Sequence, residues 1–267
     1  MQTDITPIGG VPIEYRLVHP RTDTVLTHTD TVLVFLHEGL GCVKAWRDFP
    51  TALADQVGLS TLIYSRPGYG GSASVELPRP ADYMQQEGLV GLAAVLDHFN
   101  VEDVILFGHS DCASIALVAA SGPLRRRIRG VIALAPHVVI EDITVRGIAE
   151  LARNFESGDL KTKMARYHGS NVDCAFWGFA NTWLTERNAQ SWTIVSLLPR
   201  IRCPVLLMQG EQDTFGTQHQ IDLIKANVAG RADILMLPNC GHWPHIERLD
   251  QVIEQAATFI KDLAVRL

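Results

Sequence analysis

The stretch VILFGHSDCASIAL, residues 104–117, decides how the chain is read. Val104 to Phe107 form a short apolar run of the kind that fills a buried strand. Gly108-His109-Ser110-Asp111-Cys112 follows as a corner, and from Ala113 the apolar residues take helical spacing. Strand, corner and helix with serine third in G-x-S-x-G place that serine on a strained turn, its hydroxyl lifted clear of the sheet. Gly108 supplies the small residue two before Ser110, and Cys112 stands where the pattern has its second glycine. Cysteine is small, so the expected cost is one of fit and not of chemistry.

Outward from this unit, apolar runs and helical patterns alternate. VPIEYRLV (11–18) and DTVLTH (23–28) read as a paired N-terminal hairpin. TVLVFLH (31–37), STLIYS (60–65), VEDVILFG (101–108), RGVIALAP (129–136), CPVLLMQG (203–210) and RADILMLP (231–238) read as buried strands. Helical patterns fall at about 46–57, 81–99, 110–121, 217–229 and 246–264. Such alternation predicts an α/β fold with a mostly parallel sheet and helices on both faces. It fails over 137–200, which is helical in pattern and rich in aromatics, and is expected to sit over the sheet as an insertion. Residues 1–136 and 201–267 then form the core.

A serine hydroxyl needs a base, and the base needs an orienting carboxylate. Both occur later in the chain, each just past a strand. CPVLLMQGEQD ends in Asp213, and ILMLPNCGHWPHIE carries Gly241-His242. In parallel sheets, functional groups gather at the carboxyl ends of the strands, so Ser110, Asp213 and His242 can converge there.

The bulk numbers exclude several classes. A chain of 267 residues buries a large core without staples. Its net charge of −6 argues against nucleic-acid and anionic-membrane partners. The five cysteines are widely spaced, with no CxxC pair, which argues against a disulfide framework and a metal site. The N-terminus has no signal-peptide pattern, and no run approaches the roughly 20 apolar residues of a membrane span. A cytoplasmic protein is expected.

Taken together, the chain resembles the α/β-hydrolase superfamily over nearly its full length. LVFLHEGLGCVKAW is similar to that family's H-G-x-x-G oxyanion loop, and YSRPGYGGS to its R-G-x-G-x-S segment. GHSDC, GEQD and CGHWPHIE are similar to its nucleophile, acid and histidine segments. The resemblance implies an eight-stranded, mostly parallel sheet and a helical cap after the sixth strand, which is where 137–200 falls. It implies Ser110 as nucleophile, His242 as general base and Asp213 as its orienting acid. Oxyanion donors would be the backbone N–H of Asp111 and that of Gly39, with Leu40 the alternative. A pocket is expected from Glu38, His109, Trp177, Phe179, Trp183 and Trp243. His37 is expected to be a structural loop histidine.

Besides Cys112, three departures stand out: Glu38 in place of the loop glycine, Asp111 directly after the serine, and Ser65 where many members have aspartate. The carboxylates of Glu38 and Asp111 are expected to turn away and bond locally, with a role in binding a polar or cationic substrate group, or in positioning water, as the alternative. The function implied is hydrolysis of a small ester, thioester or lactone through an acyl-enzyme. It needs no cofactor or metal, its partner is a small-molecule acyl substrate, and homo-oligomer formation is left open. Two other readings remain: a C–C bond hydrolase acting on ring-fission products of aromatic catabolism, and a non-catalytic receptor-like module on the same fold.

Overall fold

The structure, a computed structural model, describes residues 2–21, 30–186 and 192–264. Its sheet has eight strands: β1 (Asp4–Ile8), β2 (Val11–Val18), β3 (Thr31–Leu36), β4 (Thr61–Tyr64), β5 (Asp103–His109), β6 (Ile128–Leu134), β7 (Val205–Gly210) and β8 (Ala232–Leu237). Their spatial order is β1-β2-β4-β3-β5-β6-β7-β8. From β4 to β8 every pairing is parallel, while β2 runs antiparallel to both β1 and β4. The N-terminal hairpin therefore pairs 4–8 with 11–18. The partner strand expected at 23–28 lies outside the described residues. Sequence reading missed β1 because DITPI has little apolar content and an interior proline, a composition suited to an exposed edge.

Helices cover both faces. On one lie α1 (Phe49–Val57) and, from the end of the chain, α10 (Leu249–Ala264), over a core of Phe35, Phe107, Ile132 and Leu206. The other face carries α2 (Tyr83–Gln86) and α3 (Leu92–His98), joined by a π turn over Glu87–Gly91. With them pack α4 (Asp111–Ser121) and α8 (Gln218–Asn227). A four-residue turn of helix, α9 (Pro244–Glu247), precedes α10. The central strands read as unbroken apolar runs because both of their sides are covered. No helix among the described residues is long and apolar enough to cross a membrane.

Between β6 and β7 the chain leaves the sheet for three helices, α5 (Asp142–Ser157), α6 (Leu160–His168) and α7 (Val172–Asn181). Phe155 and Phe176 stack at 3.9 Å in their shared interior, with Trp177 edge-on at 5.0 Å from Phe176. Three polar side chains tie this insertion to the loops at the sheet's carboxyl edge. His168 accepts from Gly70 N–H at 3.0 Å and so donates its other N–H to the Leu40 carbonyl at 2.9 Å. The Asn171 amide donates to the carbonyls of Gly70 and Ser72. Trp183, just past α7, donates to Asp111 at 3.0 Å.

The corner after β5 explains Cys112. Ser110 sits at φ 53°, ψ −119°, and α4 departs at once. A Cβ on Gly108 would lie 2.5 Å from the Cys112 carbonyl oxygen and 2.8 Å from Ala113 Cα. The helix crosses the strand at Gly108, so that position must lack a side chain, whereas the Cys112 side chain has room in the core. Gly108→Ala is expected to cost about 1–3 kcal/mol through overpacking against rigid backbone. Urea unfolding of the two proteins measures it, and equal midpoints would contradict the close crossing.

Candidate active site

Ser110, Asp213 and His242 come from three separate loops at the carboxyl edge of the sheet and meet there. His242 Nδ1 lies 2.9 Å from each oxygen of Asp213, and its Nε2 lies 2.9 Å from Ser110 Oγ. A carboxylate on Nδ1 fixes the proton there and leaves the Nε2 lone pair to accept from the serine hydroxyl. Asp213 is itself oriented: the Phe215 N–H donates to Oδ1 at 2.8 Å, and the Gln209 amide approaches Oδ2 at 3.3 Å. Burial pushes the Asp213 carboxyl up, but the charge and hydrogen bond of His242 outweigh it and hold the pKa below the usual range. All three side chains are buried.

The loop bearing the other expected oxyanion donors is held by His37. Its Nδ1–H donates to the Glu38 carbonyl at 2.8 Å, and its Nε2 accepts from Arg66 N–H at 3.1 Å. Burial, reinforced by the Arg66 charge, pushes its pKa down to about 3, so the ring stays neutral and keeps both bonds. Gly39 needs its bare backbone, since a Cβ there would lie 2.3 Å from the Phe179 ring of the insertion. Asp111 opens α4, where first-turn amides have no intrahelical acceptor and the helix dipole favours negative charge.

Each departure from the family pattern has a local partner. The Asp111 carboxylate is wholly buried and receives the Tyr83 hydroxyl and the Trp183 indole N–H, with an Arg66 guanidinium nitrogen at 3.8 Å. Ser65 donates to Glu14 at 2.8 Å and accepts from Val43 N–H at 2.9 Å, while Glu14 also accepts from Gly71 N–H. The carboxylate absent at 65 is thus delivered from β2. His109 donates from Nε2 to the backbone carbonyl of His242 at 2.7 Å, with its Nδ1 3.8 Å from Glu38 Oε2. It braces the loop that carries the histidine.

A cavity of about 30 Å³ opens on Ser110 and His242, room for only a few waters. Glu38, Gly39, Leu40, Phe179, Trp183 and Trp243 line it, as expected of a pocket at this edge. His109 and Trp177 do not: His109 is committed to the His242 carbonyl beneath the site, and Trp177 packs against Phe155 and Phe176 inside the insertion. Sequence reading missed His137, Thr144, Ile148, Leu151 and Phe215, which complete the wall. The three from α5 share a helical spacing of 3–4 residues, a pattern that marks a buried face without saying what it faces. His137 follows β6 without a motif; burial and then His242 push its pKa down to about 4.

A protein-family model described as the alpha/beta hydrolase family matches residues 33–255. The chain belongs to the alpha/beta hydrolase family. Among solved structures it is similar to a proline iminopeptidase of Mycobacterium smegmatis, at 17% identity over 99% of each chain with a TM-score of 0.74. It is similar to an enol-lactonase of Burkholderia xenovorans LB400, at 16% identity over 97% of this chain and 100% of that one, with a TM-score of 0.70. Esterase RhEst1 of Rhodococcus sp. ECU1013 is similar at 16% identity and a TM-score of 0.70, covering 98% of this chain and 100% of that one. No curated protein matches the sequence. At such identities these likenesses speak to the fold alone.

Two outcomes follow from the site. Trp183→Phe keeps the ring in the wall but removes the N–H that holds Asp111, so turnover is expected to fall roughly ten- to hundredfold with little change in KM. An unchanged kcat would show that Asp111 needs no tie to the insertion. The second concerns acid. His37, His137 and His245 are pushed down by burial to about 3, 4 and 3. Below about 6.5, the ordinary histidine value, the unfolded chain binds protons that the folded one refuses, so falling pH favours unfolding. Stability is expected to drop from about pH 6.5 down toward 4, by up to about 1.4 kcal/mol per pH unit for each histidine. Urea midpoints across that range test it, and a flat profile down to the carboxylate region would contradict it.

Proposed function

We propose that the protein is a serine hydrolase that cleaves a small ester, thioester or lactone through an acyl-enzyme. The observation that carries this is the continuous chain from Asp213 through His242 to Ser110 Oγ, with all three contacts at 2.9 Å. Ser110 Oγ attacks the carbonyl carbon while its proton passes to His242 Nε2. Asp213 stabilises the imidazolium that forms. The oxyanion is held by the backbone N–H groups of Asp111 and of Gly39 or Leu40. On collapse the bond to the leaving alcohol or thiol breaks, and His242 returns the proton to it. Water then attacks the acyl-enzyme with His242 as base, releasing the acid and restoring the Ser110 hydroxyl.

On this reading, residues 137–200 act as a cap over the core formed by 1–136 and 201–267. Phe179 and Trp183 in that segment line the same cavity as Ser110, which supports the assignment. The cavity is small and mostly apolar, which suits a short acyl group. A C–C hydrolase acting on carboxylate-bearing ring-fission products is less well supported, since no described residue lining the cavity is lysine or arginine. A receptor-like role is less well supported because the serine already lies within reach of its base.

Incubation with a fluorophosphonate probe, followed by mass spectrometry, tests the assignment. The adduct is expected on Ser110 and absent in Ser110→Ala, together with hydrolysis of short p-nitrophenyl esters. Asp213→Asn is expected to lower kcat by about 10⁴-fold while the protein stays folded. A folded wild-type protein that neither labels nor turns over any ester would end this reading.

A further inference from the structure

His137 lines the cavity beside Ser110 and His242, yet the triad makes no use of it. The residue is 3% accessible, and its Nδ1 has no hydrogen-bond partner. Its bonds to described residues all run through the backbone. Ser114 Oγ donates to the His137 carbonyl at 2.6 Å and accepts from its N–H at 3.0 Å. The next two N–H groups, of Val138 and Val139, donate to Gln220 Oε1. The ring is therefore placed by its main chain, with its own hydrogen-bonding capacity unspent.

Its direction follows from its neighbours. The Nδ1–Cε1 edge stands against Gly216, where an added Cβ would come within 3.5 and 3.3 Å of those atoms. The ring centre lies 5.3 Å from Trp183 and 6.0 Å from His242, both of them on the cavity wall. That leaves the Nε2–Cδ2 edge for the cavity. Burial, and then His242, push the pKa down to about 4, so at neutral pH the ring is uncharged and carries one donor and one acceptor. Other polar side chains of the wall are engaged: Thr144 donates to the Phe215 carbonyl, Trp183 donates to Asp111, and Glu38 turns toward His109. Most of the remaining wall is apolar.

A buried polar group with no partner is costly, and a ligand that supplies the missing bond is favoured over one that does not. A charged group would lack a counter-ion beside a neutral imidazole. A hydroxyl fits best, since it donates and accepts and so suits either tautomer. We infer that His137 selects substrates with a hydroxyl on the acyl chain close to the scissile carbonyl, that is, esters or lactones of short hydroxy acids. This rests on the serine-hydrolase reading above, in which the cavity takes the acyl group. His242 Nε2 meets Ser110 Oγ at 2.9 Å, so a ring 6.0 Å from His242 is in range of a hydroxyl on the second or third acyl carbon.

Two pairs of ethyl esters test the inference, each pair exchanging a hydroxyl for a methyl: 2-hydroxypropanoate with 2-methylpropanoate, and 3-hydroxybutanoate with 3-methylbutanoate. They are compared by kcat/KM at about pH 7, each value divided by the ester's own uncatalysed rate. In at least one pair the hydroxy ester is expected to lead by about tenfold or more. His137→Leu is expected to bring that ratio to one or below, whatever its effect on absolute rates. His137→Gln, whose amide offers a donor and an acceptor near the place of Nε2, is expected to keep part of the preference. A purely structural role would lower both members of a pair alike and leave the ratio unchanged. Ratios near one in both wild-type pairs, as expected if the ring bonds only water, overturn the inference and leave the hydrolase reading intact. So do a preference that survives His137→Leu, and a protein that labels on Ser110 but hydrolyses none of the four. A folded protein that hydrolyses none and leaves Ser110 unlabelled removes the hydrolase reading, and this inference with it.

Discussion

The crossing of α4 over β5 at Gly108 is the constraint on which the site depends. Backbone meets backbone there with no space for a Cβ, and the turn between them forces Ser110 to positive φ. That strain is held in place by packing on every side of α4, all of whose residues are buried. The same turn lets the Ala113 and Ser114 N–H groups donate to the Ser110 carbonyl, which fixes the start of α4. Gly210 is a second close approach: a Cβ there would lie 2.1 Å from the Cys240 carbonyl oxygen. It brings the loop carrying His242 down onto the end of β7, just before the loop that carries Asp213.

Acidic residues near the site have separate fates, each set by its partners. Asp111 is held from three directions, by Tyr83, Trp183 and Arg66, all of them outside α4 and β5. Glu14 reaches from β2 into the turn after β4 and ties Ser65 and Gly71 together. Glu38 turns toward His109, with its Oε2 3.8 Å from Nδ1 and packed against Gly41.

Much of this was legible in the sequence. The two-sided burial of the parallel strands leaves unbroken apolar runs, and turn residues punctuate them, so seven strands and the order of Ser110, Asp213 and His242 could be read directly. Local chemistry of this kind is written in neighbouring residues. What escaped is what depends on distant pairing. β1 is held by its register with β2, not by its own composition. His137 and Phe215 reach the cavity only because β6 and β7 are adjacent, and Trp177 turns inward only because α5 packs against α7. His109, one residue before the serine, was expected in the pocket; the fold instead directs its ring to the backbone of His242. A side chain's direction at a sharp turn follows from the turn's geometry, which spacing does not encode.

The two ends of the helical segment between β6 and β7 are closed against each other. Val139 and Thr193 form an antiparallel bridge, and Ile194 N–H donates to the Val138 carbonyl at 3.0 Å. Entry and exit therefore lie one strand spacing apart, about 5 Å. With its ends held this closely, the segment places no demand on the spacing of β6 and β7, which pair directly with each other. Whatever stands there must still hold Asp111, Gly70 and Leu40, which Trp183, Asn171 and His168 now hold, so the junction sets where the segment joins and these three side chains set how it lies.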